Sequence, residues 1–319
     1  MNLVSCAVCS DGAVDCWGDT SRRVLAGRSR RTPSDAVRIA GATGAIGVAV
    51  SAHAACVLDR AGRVRCWGNQ GSAGSDAIHD QGTQPAIPEI VDVALPAAAV
   101  AVEVGDLHAC ALLVTSEVAC WGRNDWGQLG VDVVGSGPGH TVVPTVIPQL
   151  LASRIAVADN VSCAVDTAHR AWCWGWNGSG ATGKGDRRRR IGPVRVARFD
   201  DVTDIATDGS EACLRRADGE VWCWGQPDRL EKATPVPALR TRLPPGHSLT
   251  IDGGAVSAIG DDRMVSIAAG ASPPKPIASL LAVRALSRRD GGACAVLITG
   301  ELQCWGDNRG AELVIEAER

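Results

Sequence analysis

The chain contains no tyrosine, a single phenylalanine (Phe199) and only three lysines (Lys184, Lys232 and Lys275) in 319 residues. Aromatics are 3% of the chain, and ten of them are Trp. Basic charge is therefore almost all Arg, a bias toward Ala, Arg, Gly and Val that points to a GC-rich bacterial source. No run of about 20 apolar residues is present to span a bilayer as a helix. The nearest stretch, Gly41 to Leu58, is broken by Ser51 and His53. The opening Met-Asn-Leu-Val-Ser-Cys lacks a charged segment followed by an apolar run, so no signal peptide is expected in this chain. The net charge is −3. Nucleic-acid surfaces usually need a basic domain, so this balance argues against such a partner. Hydrophobic content of 45% leaves ample material for a core.

Cysteine is abundant and patterned. Twelve of the 13 cysteines form pairs ten residues apart: Cys6/Cys16, Cys56/Cys66, Cys110/Cys120, Cys163/Cys173, Cys213/Cys223 and Cys294/Cys304. Each second cysteine is followed by Trp-Gly. A unit recurring about every fifty residues marks a repeat architecture.

Within a unit, two apolar stretches flank a polar centre, which reads as a β-hairpin. Two residues facing each other at a separation of ten need an odd-numbered loop. A three-residue loop fits, with its last residue left-handed, where Gly is favoured. That position, six after the first cysteine, holds Gly12, Gly62, Gly219 and Gly300 in four units, with Ser116 and His169 in two others. The paired cysteines then lie opposite each other, within disulfide reach. Around Ala258 to Gly270 the same frame fits with Ala258 and Ala268 in place of both cysteines, and joint loss suggests a working pair. Six hairpin disulfides are expected, and six pairs of buried thiols are the alternative. Zinc is not expected, because two ligands per hairpin do not close a tetrahedral site. Cys9 is left over as a free thiol.

Disulfides persist in oxidising compartments. The expected location is extracytoplasmic (secreted, periplasmic or cell surface), with the signal peptide absent from this chain; free thiols would instead mean cytoplasmic. Val4 to Val8 match Val161 to Val165, so Met1 lies inside a repeat. That reads as a truncated precursor, or as a ring closed by Leu313 to Ala317.

Counting the degenerate sixth unit gives seven. Several short strands per unit, separated by turn residues, suggest propeller blades. One domain, 1–319, is expected, with blades near 1–45, 46–97, 98–150, 151–200, 201–245, 246–280 and 281–319. The stretch His108-Ala-Cys-Ala-Leu, then Val118-Ala-Cys-Trp-Gly-Arg-Asn-Asp-Trp-Gly-Gln-Leu-Gly130, resembles the regulator of chromosome condensation repeat. Its cysteine-bearing form is similar to that of bacterial secreted or surface proteins. The resemblance covers nearly the whole chain and implies an all-β, seven-bladed propeller with about four antiparallel strands per blade. It does not fix function, since members act as exchange factors for small GTPases, chromatin binders or inhibitors of enzymes.

Gly178 to Gly185 resembles a phosphate-binding loop, but Gly185 stands where that motif needs Ser or Thr. The repeat explains its glycines better, because Asn177 to Gly183 aligns with Asn124 to Gly130. No Ser/His/Asp set or paired carboxylates stand out, and no cofactor is expected. His108 reads as structural. Function concentrates in loops on rigid scaffolds. Candidate partner contacts are Asn124, Asp125, Trp126 and Trp176 in the turns after Trp-Gly, and the run Arg187, Arg188, Arg189 and Arg190. The longer inserts, Ser75 to Pro88 and Val131 to Pro144, are further contact loops. The sequence therefore favours a non-catalytic scaffold that presents loops on one face to a protein, with surface polysaccharide as a second candidate partner. A guanine-nucleotide exchange factor for a small GTPase and a propeller enzyme acting on carbohydrate are the alternatives.

Overall fold

The cysteines are direct cross-strand partners in all six hairpins, as at Cys56↔Cys66 and Cys110↔Cys120. A computed structural model describes residues 4–18, 36–68, 90–132, 139–188, 190–197, 199–226, 234–289 and 292–306. Six disulfides join the predicted pairs, with Cα atoms 4.0–4.1 Å apart. Cys9 is the free cysteine.

Seven antiparallel units follow one another among the described residues, and no helix occurs among them. The first is β1 (Val4–Val8), β2 (Val14–Gly18) and β3 (Val37–Arg38); the second is β4 (Ala45–Val50), β5 (Ala54–Asp59), β6 (Val64–Gly68) and β7 (Val91–Val93). The third starts with β8 (Ala99–Val104), β9 (His108–Leu113) and β10 (Glu117–Arg123). The long β11 (His140–Ala158) pairs with β10 through its first half and with β12 (Val161–Asp166) through its second. It thereby ends the third unit and starts the fourth, which continues with β13 (Ala171–Gly175) and β14 (Arg190–Arg195). The fifth comprises β15 (Val202–Thr207), β16 (Glu211–Arg216), β17 (Glu220–Gly225) and β18 (Thr234–Arg242). The sixth comprises β19 (Gly246–Asp252), β20 (Ala255–Gly260), β21 (Val265–Ala269) and β22 (Lys275–Pro276). The seventh is β23 (Val283–Arg289), β24 (Gly292–Leu297) and β25 (Leu302–Gly306). Strands are laid down in order within each sheet, the up-and-down pattern of propeller blades.

The first strands of the second to seventh units line a central cavity of about 2250 Å³, with Val48, Val102, Ala156, Ile205, Leu249 and Leu286 on its wall. In the first unit β1 takes that place. The short hairpin turns all fall at one end of the cavity. The turns that follow Trp-Gly fall at the other, here termed the cap face.

In four of the Trp-Gly steps the Trp packs fully buried in the core between blades: Trp67, Trp121, Trp174 and Trp224. The Gly after it is required where it stands. Gly175 has φ 100°, and a Cβ there would collide with the Asn160 carbonyl. L-residues rarely adopt that backbone.

The sixth unit differs from the frame expected from sequence. Ser257 pairs with Ile267 and Val256 with Ala268. The left-handed turn residue is Arg263 (φ 62°), six after Ser257. The cystine position is thus filled by Ser257 and Ile267, not by Ala258 and Ala268, and Ala268-Ala269 replaces Trp-Gly. The turn sets the register, with Gly260 N–H bonded to the Met264 carbonyl and Arg263 N–H to the Gly260 carbonyl. This frame makes a prediction. The double variant Ser257→Cys/Ile267→Cys oxidises to a seventh hairpin disulfide. The pair Ala258→Cys/Ala268→Cys does not, because those residues are not cross-strand partners. Mass-resolved alkylation without reductant reads both.

Candidate cap-face interface

At two seams, a blade is tied to the one before it through a turn on the cap face. Trp174 of the fourth blade donates its indole N–H to the Gln128 carbonyl of the third at 2.9 Å. Trp224 of the fifth donates to the Ala181 carbonyl of the fourth at 2.7 Å. The turns are shaped from within by their Asn. Asn124 Oδ1 accepts Leu129 N–H (3.0 Å) and its Nδ2 donates to the Val131 carbonyl (2.8 Å). Asn177 Oδ1 accepts Thr182 N–H (3.0 Å), the same bond in the next blade. The glycine-rich stretch from Gly178 is therefore a repeat turn built like its neighbour.

His108 belongs to this seam. Its Nε2 lies 2.8 Å from Ser162 Oγ. Ser162 donates its own proton to the Gln128 carbonyl at 3.0 Å, so His108 is the donor to Ser162. Full burial lowers the His108 pKa to about 4, opposed by the Asp159 carbonyl and the Asp106 charge. Between pH 6.5 and about 4 the unfolded chain then binds one proton more than the native one. Stability falls on acidification through that window by about 1.4 kcal/mol per pH unit. The lowered carboxyls Asp59 and Asp166 act elsewhere: their contribution is lost only as pH drops below their ordinary 3.8. Chemical denaturation at stepped pH should show a wild-type slope steeper than that of His108→Gln by about this amount, because the raised Asp204 and Asp208 act alike in both.

The structure sorts the candidate contact residues. Trp126 is 43% exposed at the tip of its turn. Asp125 pairs with Arg123 beside it. Asn124 faces inward as described, and Trp176 is half-buried, its ring lying against Gly178. Arg187 and Arg188 are exposed. Arg190 starts β14, described for its backbone alone, and Arg189 lies outside the described residues, as do the whole Ser75 to Pro88 insert, residues 133–138 and the 307–319 tail.

The channel wall carries two half-buried acids. Burial is the main influence on Asp204 and Asp208 and pushes both carboxyls up. Both are occupied by backbone donors. Asp204 accepts Leu249 N–H (2.7 Å) and Ile205 N–H (2.9 Å), and Asp208 accepts Glu211 N–H (2.8 Å) and Ser210 N–H (2.9 Å). Among the described residues, one trio of potential metal ligands converges, Glu211 with Cys213 and Cys223. Its two sulfurs are bonded to each other, so they have no thiolate to offer.

The architecture defines a β-propeller stapled within its blades. The Regulator of chromosome condensation (RCC1) repeat family matches over residues 99–128. The human E3 ubiquitin-protein ligase HERC2 is 29% identical over 256 residues, 74% of this chain and 5% of that protein. The Arabidopsis thaliana mitochondrial RCC1 domain-containing protein RUG3 is 25% identical over 265 residues, 80% of this chain. The chain spans about half (52%) of RUG3 and a small part of HERC2. Human WBSCR16 superposes with a TM-score of 0.75 at 17% identity, covering 94% of this chain and 90% of that one. Prp20p from Saccharomyces cerevisiae gives 0.69 at 17%, covering 86% and 75%. The chain thus carries an RCC1 repeat at residues 99–128 and shares its fold with propellers built from such repeats.

Proposed function

We propose that this propeller is a non-catalytic binding scaffold whose cap-face turns dock a protein partner. The observation that carries the reading is the turn 122–130. Its backbone is fixed from inside by Asn124 and from the next blade by Trp174, yet it holds Trp126 43% exposed. A preorganised loop loses little entropy on binding, and exposed Trp is a frequent hot-spot residue. Prp20p, which shares the fold, binds Gsp1p and histones, so this scaffold is compatible with protein partners. The engagement of Asp204 and Asp208 by backbone amides supports a structural role for the channel acids over an acid–base one. Six disulfides support an extracytoplasmic site of action.

A photo-crosslinking residue placed at Trp126, and separately at Arg263 on the hairpin face, tests this in cells of the source organism. A discrete crosslinked protein from position 126 and none from 263 is expected. Equal products from both positions, or none from 126, would overturn the reading.

A further inference from the structure

On the cap face, the turn leaving β13 presents Lys184, Arg187 and Arg188, all exposed. Among the described residues none of the three makes an ion pair. Arginines elsewhere on the molecule are quenched: Arg123 holds Asp125, Arg170 holds Asp166, Arg195 holds Asp200 and Arg240 holds Glu211. The acid within the turn, Asp186, is committed to shaping it. Its Oδ1 accepts Arg188 N–H at 3.0 Å and lies 3.3 Å from Asn177 Nδ2.

The cations are also held in place. Asn177, 1% exposed, donates Nδ2 to the carbonyls of Asp186 (2.9 Å) and Arg188 (3.0 Å). Gly185 N–H bonds to the Pro235 carbonyl of β18 at 2.9 Å, tying the turn to the fifth blade. Beside that tie stands Val236, 55% exposed, 3.4 Å from where a Gly185 Cβ would sit. Pro235 and Pro237 have no N–H, so this part of β18 lacks donors for strand addition. A partner here is held by side chains.

We infer that this patch, spanning the fourth and fifth blades, docks an acidic segment of a protein, with carboxylates on Lys184, Arg187 and Arg188 and an apolar side chain on Val236. The inference rests on the scaffold reading above and names the chemistry of its partner. Unpaired charge on a fixed backbone is charge kept for an outside ligand, and complementary charge sets specificity and encounter rate. Protein is favoured over nucleic acid because the exposed apolar Val236 side chain stands beside the cations, offering a contact that a row of phosphates does not fill.

The probe is a labelled short peptide of Glu and Asp around a central Leu, followed by fluorescence anisotropy. Binding to the wild type is expected to weaken with salt. The triple variant K184E/R187E/R188E is expected to bind at least roughly tenfold more weakly. R60E/R263E/R284E makes the same charge change at the hairpin end and is expected to match the wild type. Equal loss in both triple variants would overturn the inference, because net charge and not this patch would be read. So would absence of peptide binding, or tighter binding of a single-stranded oligonucleotide of equal charge. Failure here with crosslinks from position 126 retained removes only the acidic partner. Loss of those crosslinks in the wild type removes the scaffold reading itself.

Discussion

Reducing the six disulfides is expected to unfold the protein, and they should yield in a defined order. The chain-entropy argument gives at most about 3 kcal/mol for a loop of this length. The hairpins are local, so each bond contributes less than that ceiling. Even about 1 kcal/mol from each of six approaches the whole stability of many domains, about 5–15 kcal/mol. Order follows access. The bonds Cys56–Cys66, Cys110–Cys120, Cys163–Cys173 and Cys213–Cys223 are buried at both sulfurs' residues, whereas Cys6, Cys294 and Cys304 are partly exposed. Mild reductant without denaturant should open Cys6–Cys16 and Cys294–Cys304 first and leave the middle four intact. Timed alkylation with peptide mapping checks this. Before any reductant one thiol should react, Cys9, and slowly, because burial and the hydrogen bond to Asp15 push its pKa up. Simultaneous opening of all six would show that reduction proceeds through global unfolding and not by local access.

The order of reduction mirrors what was legible in the sequence. The hairpins could be read because Cys-to-Cys spacing and a Gly six residues on are both consequences of one turn geometry. The sixth unit misled by one residue because its turn uses Arg263, which carries no glycine signal, and because Ala258 and Ala268 offered a plausible-looking substitute pair. In the structure Ser257 instead accepts Arg288 Nη1 from the seventh blade at 2.8 Å, a tie between residues 31 apart. The seams between blades were not legible for a related reason. Their acceptors are main-chain carbonyls, at Gln128 and Ala181, and a carbonyl has no residue identity to recognise. His108 could be read as structural from its repeat position, but its bond to Ser162 joins residues 54 apart and needs the fold. At the cap face the turn composition was visible and its orientation was not. Asn124 and Trp126 are two residues apart, yet one is consumed inside the turn and the other stands in solvent.

That split between adjacent turn residues and core residues of the same type gives the sharpest comparison of variants. Trp174→Ala is expected to cost about 3–5 kcal/mol, the range for removing a large buried aromatic. Trp174 is 1% exposed and packs with Leu129, Ile147 and Val157. Its N–H also fixes the Gln128 carbonyl, although Ser162 continues to bond that oxygen in the variant, which limits the polar part of the loss. Trp174→Phe separates the two contributions: it keeps an aromatic ring and removes the N–H, at roughly 1 kcal/mol for the bond. Trp126→Ala, in contrast, removes a ring that is 43% exposed and is expected to shift stability by no more than about 0.5 kcal/mol. Its effect should fall on the partner, at about 2 kcal/mol or more if Trp126 is a hot spot. Denaturant midpoints for the three variants, set beside binding of the protein captured from position 126, decide the matter. A midpoint for Trp126→Ala as low as that for Trp174→Ala would make Trp126 part of the fold's own packing, and the cap face would lose its central contact. A normal midpoint with lost binding would show that the same residue type, five repeat positions apart, serves the ring in one place and the partner in the other.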